Sequence, residues 1–369
     1  MLTATLRAAD RLLHVEFGDG EALDFPFLWL RDNCPSGFHP QTAEREFDLT
    51  QAPRAPRVSA ARVEGDALVL DWAEDGHVSR FPEVWLRAVA PGRRRLDPAA
   101  VPPTLWHGPL GDALPRADAA ALLTSDAALL DWAVATKRCG VSIVQGLADD
   151  AEAGLDVARR LGFLRETNFG RHFDVESKPD PNNLAYTSHR LPPHTDLPNQ
   201  EMPPGWQFLH CLANEAQGGG SEFLDGFAAA EALRGEDAEA FRLLSETTIP
   251  FRFHDAGFDI RKRAPVIELD EAGALVEIRF NAHIADVLDL PPASVEPWYL
   301  AYRRLMEITR DPARLTTLRL GAGDMAAFDN RRILHGREAF DPTTGYRRLR
   351  GGYVDRGEVD SRIRVLSRG

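Results

Sequence analysis

Residues 324–337 read DMAAFDNRRILHGR, and this stretch predicts a strand followed by a tight turn, with a glycine directly after His335. Further short strand-like segments precede it, separated by turns rich in Pro and Gly. Together with its own strand at 324–328, these segments cover residues 183–187, 206–211, 221–223, 266–269 and 276–280. Many short strands at this spacing favour a mainly β (α+β) fold, a double-stranded β-helix or jelly roll with flanking helices.

Three regions are predicted along the 369-residue chain, which exceeds the usual size of one domain. Residues 1–95 form a small β-rich domain, with strand-like runs at 12–17 and 67–72. Residues 96–116 are rich in Pro and Gly and are predicted to be a linker that lies over the surface. Residues 117–369 form the main domain, with a strand at 139–144 and helices predicted near 118–136, 149–161, 227–246 and 293–310.

The composition argues against a protein that binds nucleic acid, spans a membrane or is secreted. The net charge of −13 argues against nucleic acid and anionic membranes as partners. No apolar run reaches the roughly 18 residues that span a bilayer, and the N-terminus has no continuous apolar region of the kind a secretory signal needs. The three cysteines are too few and too scattered for a disulfide framework, so we expect a cytoplasmic protein.

Two histidine–carboxylate pairs share the same spacing: His194 with Asp196, and His172 with Asp174. Alternate residues of a strand share a face, so either pair can aim two ligands at one point. Facial-triad iron sites need two His and one carboxylate, with positions left open for co-substrate and dioxygen. We favour His194 and Asp196 because they follow two prolines at the start of a predicted strand, whereas 171–180 reads as a charged loop. His335, in strand-edge context, is the predicted third ligand.

A cluster of arginines follows His335 within YRRLR, residues 346–350, which predicts a strand with Arg on both faces. A guanidinium binds carboxylates through a planar fork of N–H groups. One of these arginines is therefore a candidate partner for the distal carboxylate of 2-oxoglutarate. The combination of HTD, a distant His and a following Arg is more specific than any one of the three.

Taken together, these motifs resemble the γ-butyrobetaine hydroxylase branch of the taurine dioxygenase (TauD)-like Fe(II)/2-oxoglutarate oxygenases. The resemblance spans nearly the whole chain. The segments that carry it are WLRDNC at 29–34, PNNLAYT at 181–187, HTD at 194–196, LHC at 209–211, GGGS at 218–221, DGF at 225–227 and FDNRRILHGR at 328–337. It implies a small N-terminal β domain, a catalytic double-stranded β-helix and a homodimer.

The resemblance also implies roles for individual residues. Fe(II) would be held by His194, Asp196 and His335. The 2-oxoglutarate arginine would be Arg347, with Arg348 as the second candidate, and Asn183 and Ser221 match positions near co-substrate or substrate carboxylates. The positions that match an aromatic cage for a trimethylammonium group, which attracts the cation through ring faces, are Phe169, Phe173, Tyr186 and Leu197.

The sequence departs from the family pattern at two places, the zinc site of the N-terminal domain and the aromatic cage. Zinc-bearing members have three closely spaced cysteines in the N-terminal domain, whereas only Cys34, His39 and His77 are candidates here. Tetrahedral zinc needs four ligands, so we expect a turn without zinc. The cage retains one Tyr and replaces another ring by Leu197, while Phe169 and Phe173 are equally consistent with core packing.

The predicted activity is a dioxygenase reaction with Fe(II) and 2-oxoglutarate. It would hydroxylate a C–H bond of a small, γ-butyrobetaine-like quaternary-ammonium zwitterion and release succinate and CO₂. Arg279 and Asn281 are predicted to bind the anionic end of the substrate, and an Arg there suits a carboxylate or a phosphonate. Alternative substrates are 2-(trimethylammonio)ethylphosphonate and trimethyllysine. The competing class is an inactive jelly-roll binding protein, in which the HTD segment is only structural.

Overall fold

The computed structural model describes residues 2–93, 95–176 and 187–368. Chain contacts divide the protein into an N-terminal unit, Met1–Asp97, and a C-terminal unit, Pro98–Gly369. Strands and helices together cover a little more than half of the chain, and the class is mainly β with flanking helices, as predicted. No helix among the described residues is long and apolar enough to cross a membrane.

The N-terminal unit contains two three-stranded antiparallel sheets, one of β1, β2 and β3 and one of β4, β5 and β6. A cluster of buried apolar side chains, among them Leu13, Phe25, Leu68 and Phe81, forms its core. The strands and helices are β1 (Thr3–Arg7), β2 (Leu12–Glu16), β3 (Ala22–Pro26), α1 (Phe27–Asp32), β4 (Val58–Glu64), β5 (Ala67–Trp72), β6 (Val78–Pro82) and α2 (Glu83–Val89).

The C-terminal unit contains the remaining elements. Its strands are β7 (Arg116–Asp118), β8 (Val141–Gln145), β9 (His172–Glu176), β10 (Leu191–His194), β11 (Trp206–Asn214), β12 (Gln217–Gly218), β13 (Ser221–Asp225), β14 (Ile249–His254), β15 (Asp259–Ala264), β16 (Ile267–Leu269), β17 (Leu275–Ile278), β18 (Thr316–Leu318), β19 (Met325–Asp329), β20 (Ile333–Arg337), β21 (Phe340–Asp341) and β22 (Arg347–Val354). Its helices are α3 (Ala119–Thr124), α4 (Asp126–Cys139), α5 (Ala153–Leu161), α6 (Gly226–Glu236), α7 (Ala238–Glu246), α8 (Pro292–Thr309) and α9 (Arg356–Leu366).

Two sheets of the C-terminal unit form the β-helix. The larger sheet has the strand order β7-β8-β19-β11-β22-β9, and the smaller one has the order β10-β20-β13-β18. Apolar side chains from both sheets share one buried cluster, in which the rings of Phe223 on β13 and Phe328 on β19 lie 5.4 Å apart. The predicted strand and tight turn at 324–337 correspond to β19 and the turn after it, and a second strand, β20, follows in the other sheet.

The segment predicted to be a linker does not lie loosely on the surface. Trp106 is 8% exposed, and its indole N–H donates to the Cys139 carbonyl oxygen at 2.9 Å. Its backbone N–H donates to the Asp225 carboxylate at 3.2 Å. Residues from Pro98 onward therefore pack as part of the C-terminal unit, and the boundary predicted at 117 lies too late in the chain.

The helix predicted over 118–136 is two helices. Ser125 has extended backbone angles (φ −119°, ψ 122°), and its hydroxyl accepts a hydrogen bond from the N–H of Ala128 at 3.2 Å. Serine competes with the helical backbone in this way and is a preferred N-cap residue. It ends α3 and starts α4, which itself ends at Gly140, where a positive φ of 91° favours glycine.

Candidate metal centre and co-substrate pocket

Two neighbouring strands of the smaller sheet bring the predicted histidines together. His194 ends β10 and is the direct antiparallel partner of His335 on β20. Side chains of directly opposite residues lie on the same face, and these two imidazole rings have centroids 4.4 Å apart. Asp196 follows β10 by two residues. One potential ligand atom from each of the three residues lies within 4.8 Å of the others.

The three side chains fit the requirements of a facial iron site. Asp196 Oδ1 lies 3.3 Å from Nε2 of His194 and 3.8 Å from Nε2 of His335. Neighbouring ligands on an octahedral metal are about 3 Å apart, so small adjustments suffice to bind an ion. His194 Nδ1 lies 3.0 Å from the Pro192 carbonyl oxygen, an acceptor. Nδ1 therefore carries the proton, and the lone pair on Nε2 is available to a metal.

The charge states at this site also suit metal binding. Burial raises the pKa of Asp196, but His335 and the hydrogen bond with His194 outweigh it, so the pKa stays below its usual range. Burial and the neighbouring His194 lower the pKa of His335 to about 3. An ionised carboxylate and a neutral imidazole are the forms that bind divalent cations.

The chain on both sides of Asp196 is anchored to other elements. Asn330, in the turn between β19 and β20, accepts from the Asp196 N–H at 2.7 Å and donates to its carbonyl oxygen at 3.1 Å. Arg279 donates to the backbone carbonyl oxygens of the following loop, on Pro198, Gln200 and Glu201. These contacts fix the backbone on both sides of Asp196.

The side chains of Arg279 and Asn281, predicted to bind the anionic end of the substrate, both bind the protein itself in the described structure. Arg279 is 5% exposed and pairs with the fully buried Glu277, with Nε and Oε1 2.6 Å apart. Asn281 donates to the Thr195 carbonyl oxygen at 3.1 Å and accepts from the His283 N–H at 3.1 Å. Neither lines the pocket described next, and both support the loop that carries Asp196.

A pocket opens beside the three candidate ligands, between the two sheets. It is lined by Phe173, Val175, Leu191, His194, Asp196, Gln207, Leu209, Ser221, Phe223, His335, Gly336, Arg337, Arg347 and Leu349. Apolar walls with a few convergent polar groups are typical of a small-molecule site.

Arg347 brings an unpaired positive charge into this pocket. It is 5% exposed, and its guanidinium makes no ion pair or hydrogen bond to any residue in the described ranges, although its Cζ lies 5.6 Å from the ring centroid of Phe340. Burial lowers its pKa to about 10, so it remains charged at neutral pH. A buried cation without a partner is costly, which makes the anionic group of a ligand the expected partner.

The turn before β13 makes room for that arginine. Gly219 has a positive φ of 70°, and a Cβ added there would lie 3.0 Å from Nε of Arg347. Glycine is therefore favoured at this position by both backbone conformation and space. Ser221 follows two residues later, is 7% exposed and lines the pocket, as a group near a bound carboxylate must.

Arg348, the second candidate for 2-oxoglutarate, is not part of the pocket lining. It points to the other face of β22 and donates to Asp174 Oδ2 at 2.9 Å. Arg350 also contacts Asp174, with its Nε 2.6 Å from Oδ1. Because Asp174 is committed to two arginines, the pair of His172 and Asp174 is not a metal site in the described structure. Residues His172–Glu176 of the predicted loop form strand β9, residues 177–180 lie outside the described residues, and His172 is exposed.

The four residues predicted to form the cage differ in whether they line the pocket. Phe173 lines the pocket. Phe169 packs edge-on against Phe253, with ring centroids 5.4 Å apart, and is not part of the lining. Leu197 is 7% exposed, has a positive φ of 55° and is also absent from the lining. Tyr186, like Asn183 among the carboxylate-binding candidates, lies outside the described residues.

The zinc candidates of the N-terminal unit are only partly together. Cys34 Sγ lies 3.3 Å from His77 Nε2 and 3.1 Å from the Ser36 hydroxyl oxygen. His39 is engaged elsewhere, because its Nδ1 accepts hydrogen bonds from the N–H groups of Gln41 and Thr42 at 3.3 and 3.2 Å. The structure thus joins two of the three residues in a hydrogen-bonded group.

Sequence reasoning missed several residues that shape the site. Gln207 on β11 lines the pocket, and its amide oxygen has no partner among the described residues. Tyr353 donates its hydroxyl to Asp196 Oδ2 at 2.7 Å. Strand alternation offered a signal for it, since Arg347, Leu349 and Tyr353 are separated by even steps on β22 and face the same side. Nothing in the local pattern pointed to Gln207.

Comparison with known proteins identifies the family. The model of the taurine catabolism dioxygenase TauD, TfdA family matches residues 101–353, and that of the γ-butyrobetaine hydroxylase-like N-terminal domain matches residues 4–87. The crystal structure of asparagine oxygenase (AsnO) superposes with a TM-score of 0.51 at 19% identity, over 64% of this chain and 87% of the other. That likeness shows a shared fold.

Curated relatives extend over almost the whole chain. The γ-butyrobetaine dioxygenase of Pseudomonas sp. (strain AK-1) is 44% identical over 358 residues, covering 96% of this chain and 93% of the relative. The Homo sapiens γ-butyrobetaine dioxygenase is 31% identical, covering 96% and 94%. The mitochondrial trimethyllysine dioxygenase of Gallus gallus is 31% identical, covering 98% and 85%. The chain therefore belongs to the TauD/TfdA family, as a dioxygenase that uses Fe(II) and 2-oxoglutarate.

Proposed function

We propose that this dioxygenase hydroxylates a C–H bond of a small quaternary-ammonium zwitterion of the γ-butyrobetaine type. The observation that carries the proposal is the 44% identity, over nearly the full length of both chains, to a γ-butyrobetaine dioxygenase. The trimethyllysine dioxygenase of Gallus gallus is less similar, at 31% identity. Trimethyllysine and 2-(trimethylammonio)ethylphosphonate remain the alternative substrates, because they share the trimethylammonium group.

In this proposal His194, Asp196 and His335 hold Fe(II), and Arg347 binds the far carboxylate of 2-oxoglutarate. When bound with dioxygen, the iron and 2-oxoglutarate supply the oxidising power that inserts one oxygen atom into the substrate, with release of succinate and CO₂. The chain itself orients these groups. The Arg347 guanidinium forms charge-assisted hydrogen bonds to the carboxylate, and Ser221 also lines the pocket.

The substrate cation needs an electron-rich surface rather than a hydrogen-bond acceptor, because a trimethylammonium group has no N–H. Phe173 provides a ring face at the pocket wall. We propose Tyr186 as a second ring, by its position in the sequence. Phe169 and Leu197 pack outside the described lining, which leaves Phe173 as the better supported cage residue.

A substrate panel tests the proposal. Purified enzyme with Fe(II), 2-oxoglutarate and ascorbate is given γ-butyrobetaine, trimethyllysine or 2-(trimethylammonio)ethylphosphonate, and succinate release is measured. We expect the highest kcat/KM with γ-butyrobetaine and no substrate-dependent succinate from Asp196→Ala or His335→Ala. A higher kcat/KM with either other amine would transfer the assignment to that substrate. Wild-type turnover in either variant would overturn the iron site.

We also propose a cytoplasmic homodimer. The support for the homodimer is the resemblance to family members that assemble as dimers, and for the cytoplasm it is the low cysteine content. Light scattering coupled to size-exclusion chromatography tests the first part, because a chain mass of 40.8 kDa gives clearly separated monomer and dimer values. A monomer at working concentrations would contradict it.

A further inference from the structure

The two carboxylate oxygens of Asp196 have different surroundings. Oδ1 faces the imidazoles of His194 and His335, at 3.3 and 3.8 Å. Oδ2 instead accepts a hydrogen bond from the Tyr353 hydroxyl at 2.7 Å. A neutral phenol is the donor here, because an ionised carboxylate can only accept. One oxygen is thus directed at the candidate metal position, and the other is held by the protein.

Tyr353 is itself well anchored. It lies next to the last residue of β22, is 3% exposed, and packs its ring on Phe173 with centroids 5.3 Å apart. Its carbonyl oxygen accepts from the Arg165 N–H at 2.8 Å, and its strand partner on β11 is Gln207. A tyrosine has only two side-chain torsions that place its ring, and both are constrained by this packing. The packing of the ring therefore also fixes the position of the Tyr353 hydroxyl group.

The backbone of Asp196 is fixed separately. Asn330 is fully buried and binds both the N–H and the carbonyl oxygen of Asp196. With the peptide groups held, rotation about the side-chain bonds is the remaining freedom of the ligand. The hydrogen bond from Tyr353 opposes that rotation, because turning the carboxylate breaks a charge-assisted contact.

We propose that Tyr353 is a positioning residue that restricts Asp196 to binding iron through Oδ1 alone. Carboxylates bind metals through one oxygen or through two. Two-oxygen binding by Asp196 would occupy one of the three positions that a facial triad leaves open for 2-oxoglutarate and dioxygen. By holding Oδ2, Tyr353 keeps that position available. The inference rests on the proposed iron site of His194, Asp196 and His335.

The test is Tyr353→Phe, which removes one oxygen atom and keeps the ring against Phe173. Anaerobic enzyme is saturated with Fe(II) and 2-oxoglutarate, and the visible absorption band of the complex is recorded. We expect the band to shift or weaken at saturation, because the coordination by Asp196 changes. Mn(II) affinity, followed by the electron paramagnetic resonance of free Mn(II), is expected to fall about 10- to 100-fold, the usual cost of losing a partner of a metal ligand.

Tyr302→Phe is the matched control. Tyr302 is also buried, stacks on Trp298 at 4.9 Å, and has a hydroxyl without a partner among the described residues. We expect its band and Mn(II) affinity to equal those of the wild type. An unmoved band in Tyr353→Phe at saturating ligand would overturn the inference, whatever the affinity. A wild type that forms no band at all would instead overturn the proposed iron site.

Discussion

Both faces of β22 carry arginines, but those on only one face have a carboxylate partner among the described residues. On the pocket face, Arg347 is buried and has no carboxylate partner in the described part of the chain. On the other face, Arg348 and Arg350 both pair with Asp174 on the neighbouring strand β9. The outer arginines thus hold two strands together. The inner one has its charge available, and we propose that a ligand completes its pairing.

Arg279 shows that burial alone does not identify a ligand-binding arginine. It is as buried as Arg347, at 5% exposure for both, and was a plausible substrate anchor by its position near the site. Glu277 and three backbone carbonyl oxygens already satisfy its guanidinium. The informative property is the absence of a protein partner, which only the three-dimensional arrangement reveals.

The largest expected effect on stability comes from replacing Arg279, whose guanidinium is paired within the protein. Arg279→Met leaves Glu277 buried with Arg331 as its remaining ion-pair partner and releases the loop after Asp196. Removing one partner of a buried pair costs about 3–5 kcal/mol when the other charge is left uncompensated. Because Arg331 still pairs with Glu277, the free energy of unfolding should fall by less, up to about 3 kcal/mol. Urea unfolding measures it. Unchanged stability together with a raised KM for substrate would show that Arg279 binds substrate after all.

Substitution of Arg347 should instead weaken the binding of 2-oxoglutarate without lowering the free energy of unfolding. Arg347→Met removes charge-assisted hydrogen bonds to the co-substrate, worth about 3 kcal/mol for a two-pronged contact, so the KM for 2-oxoglutarate should rise about 100-fold. The free energy of unfolding should not fall, because an uncompensated charge is removed. Succinate formation at varied 2-oxoglutarate gives the first quantity and urea unfolding the second.

Arg348→Met is the control on the opposite face of the same strand. Its ion pair is partly exposed, and such pairs contribute about 1 kcal/mol or less. The KM for 2-oxoglutarate should stay within about fivefold of the wild type, since 1.4 kcal/mol corresponds to tenfold and 1 kcal/mol to about fivefold. Equal effects of the two substitutions on that KM would remove the distinction between the two faces.

A smaller effect concerns His210 on β11, which is 2% exposed and has neither ring nitrogen paired among the described residues. Burial lowers its pKa, and Arg350 acts in the same direction, while Asp150 and Asp149 oppose the shift. The unfolded chain therefore binds a proton near pH 6.5 that the folded protein resists, so this contribution to stability is lost as pH falls below that value.

His210→Leu isolates that contribution. Between pH 7 and 5.5, wild-type stability should fall by up to about 1 kcal/mol more than that of the variant, because leucine cannot take up the proton. Urea unfolding at the two pH values gives the comparison, and each protein serves as its own reference. Parallel losses in the two proteins would mean that other groups carry the pH dependence.

The candidate iron ligands could be predicted because HTD, a distant His in strand-edge context and a following Arg occur together in the sequence. His-x-Asp after a short strand and His335 in a strand-edge context each place a ligand by strand alternation, and the antiparallel pairing of β10 with β20 brings them together. The two prolines were predicted to stand just before a strand, whereas Pro192 and Pro193 lie within strand β10. The structure places it at the edge of its sheet, where prolines are tolerated.

Other errors arose from partners distant in sequence. The charged stretch at 171–180 was predicted as a loop, whereas Asp174 is paired across to β22 by two arginines. The choice between Arg347 and Arg348 depended on register, since a shift of one residue moves a side chain to the other face. For Arg279 a local signal existed, because Glu277 two residues earlier lies on the same face and pairs with it.

The most direct test of the account is an anaerobic titration of the wild-type enzyme and of Asp196→Ala with Fe(II) and then 2-oxoglutarate. The central claim is that one pocket holds both, through the triad and Arg347. The wild type should develop a visible charge-transfer band that saturates at one 2-oxoglutarate per chain, and Asp196→Ala should develop none. A wild type without the band, or a variant with the full band, would contradict the claim.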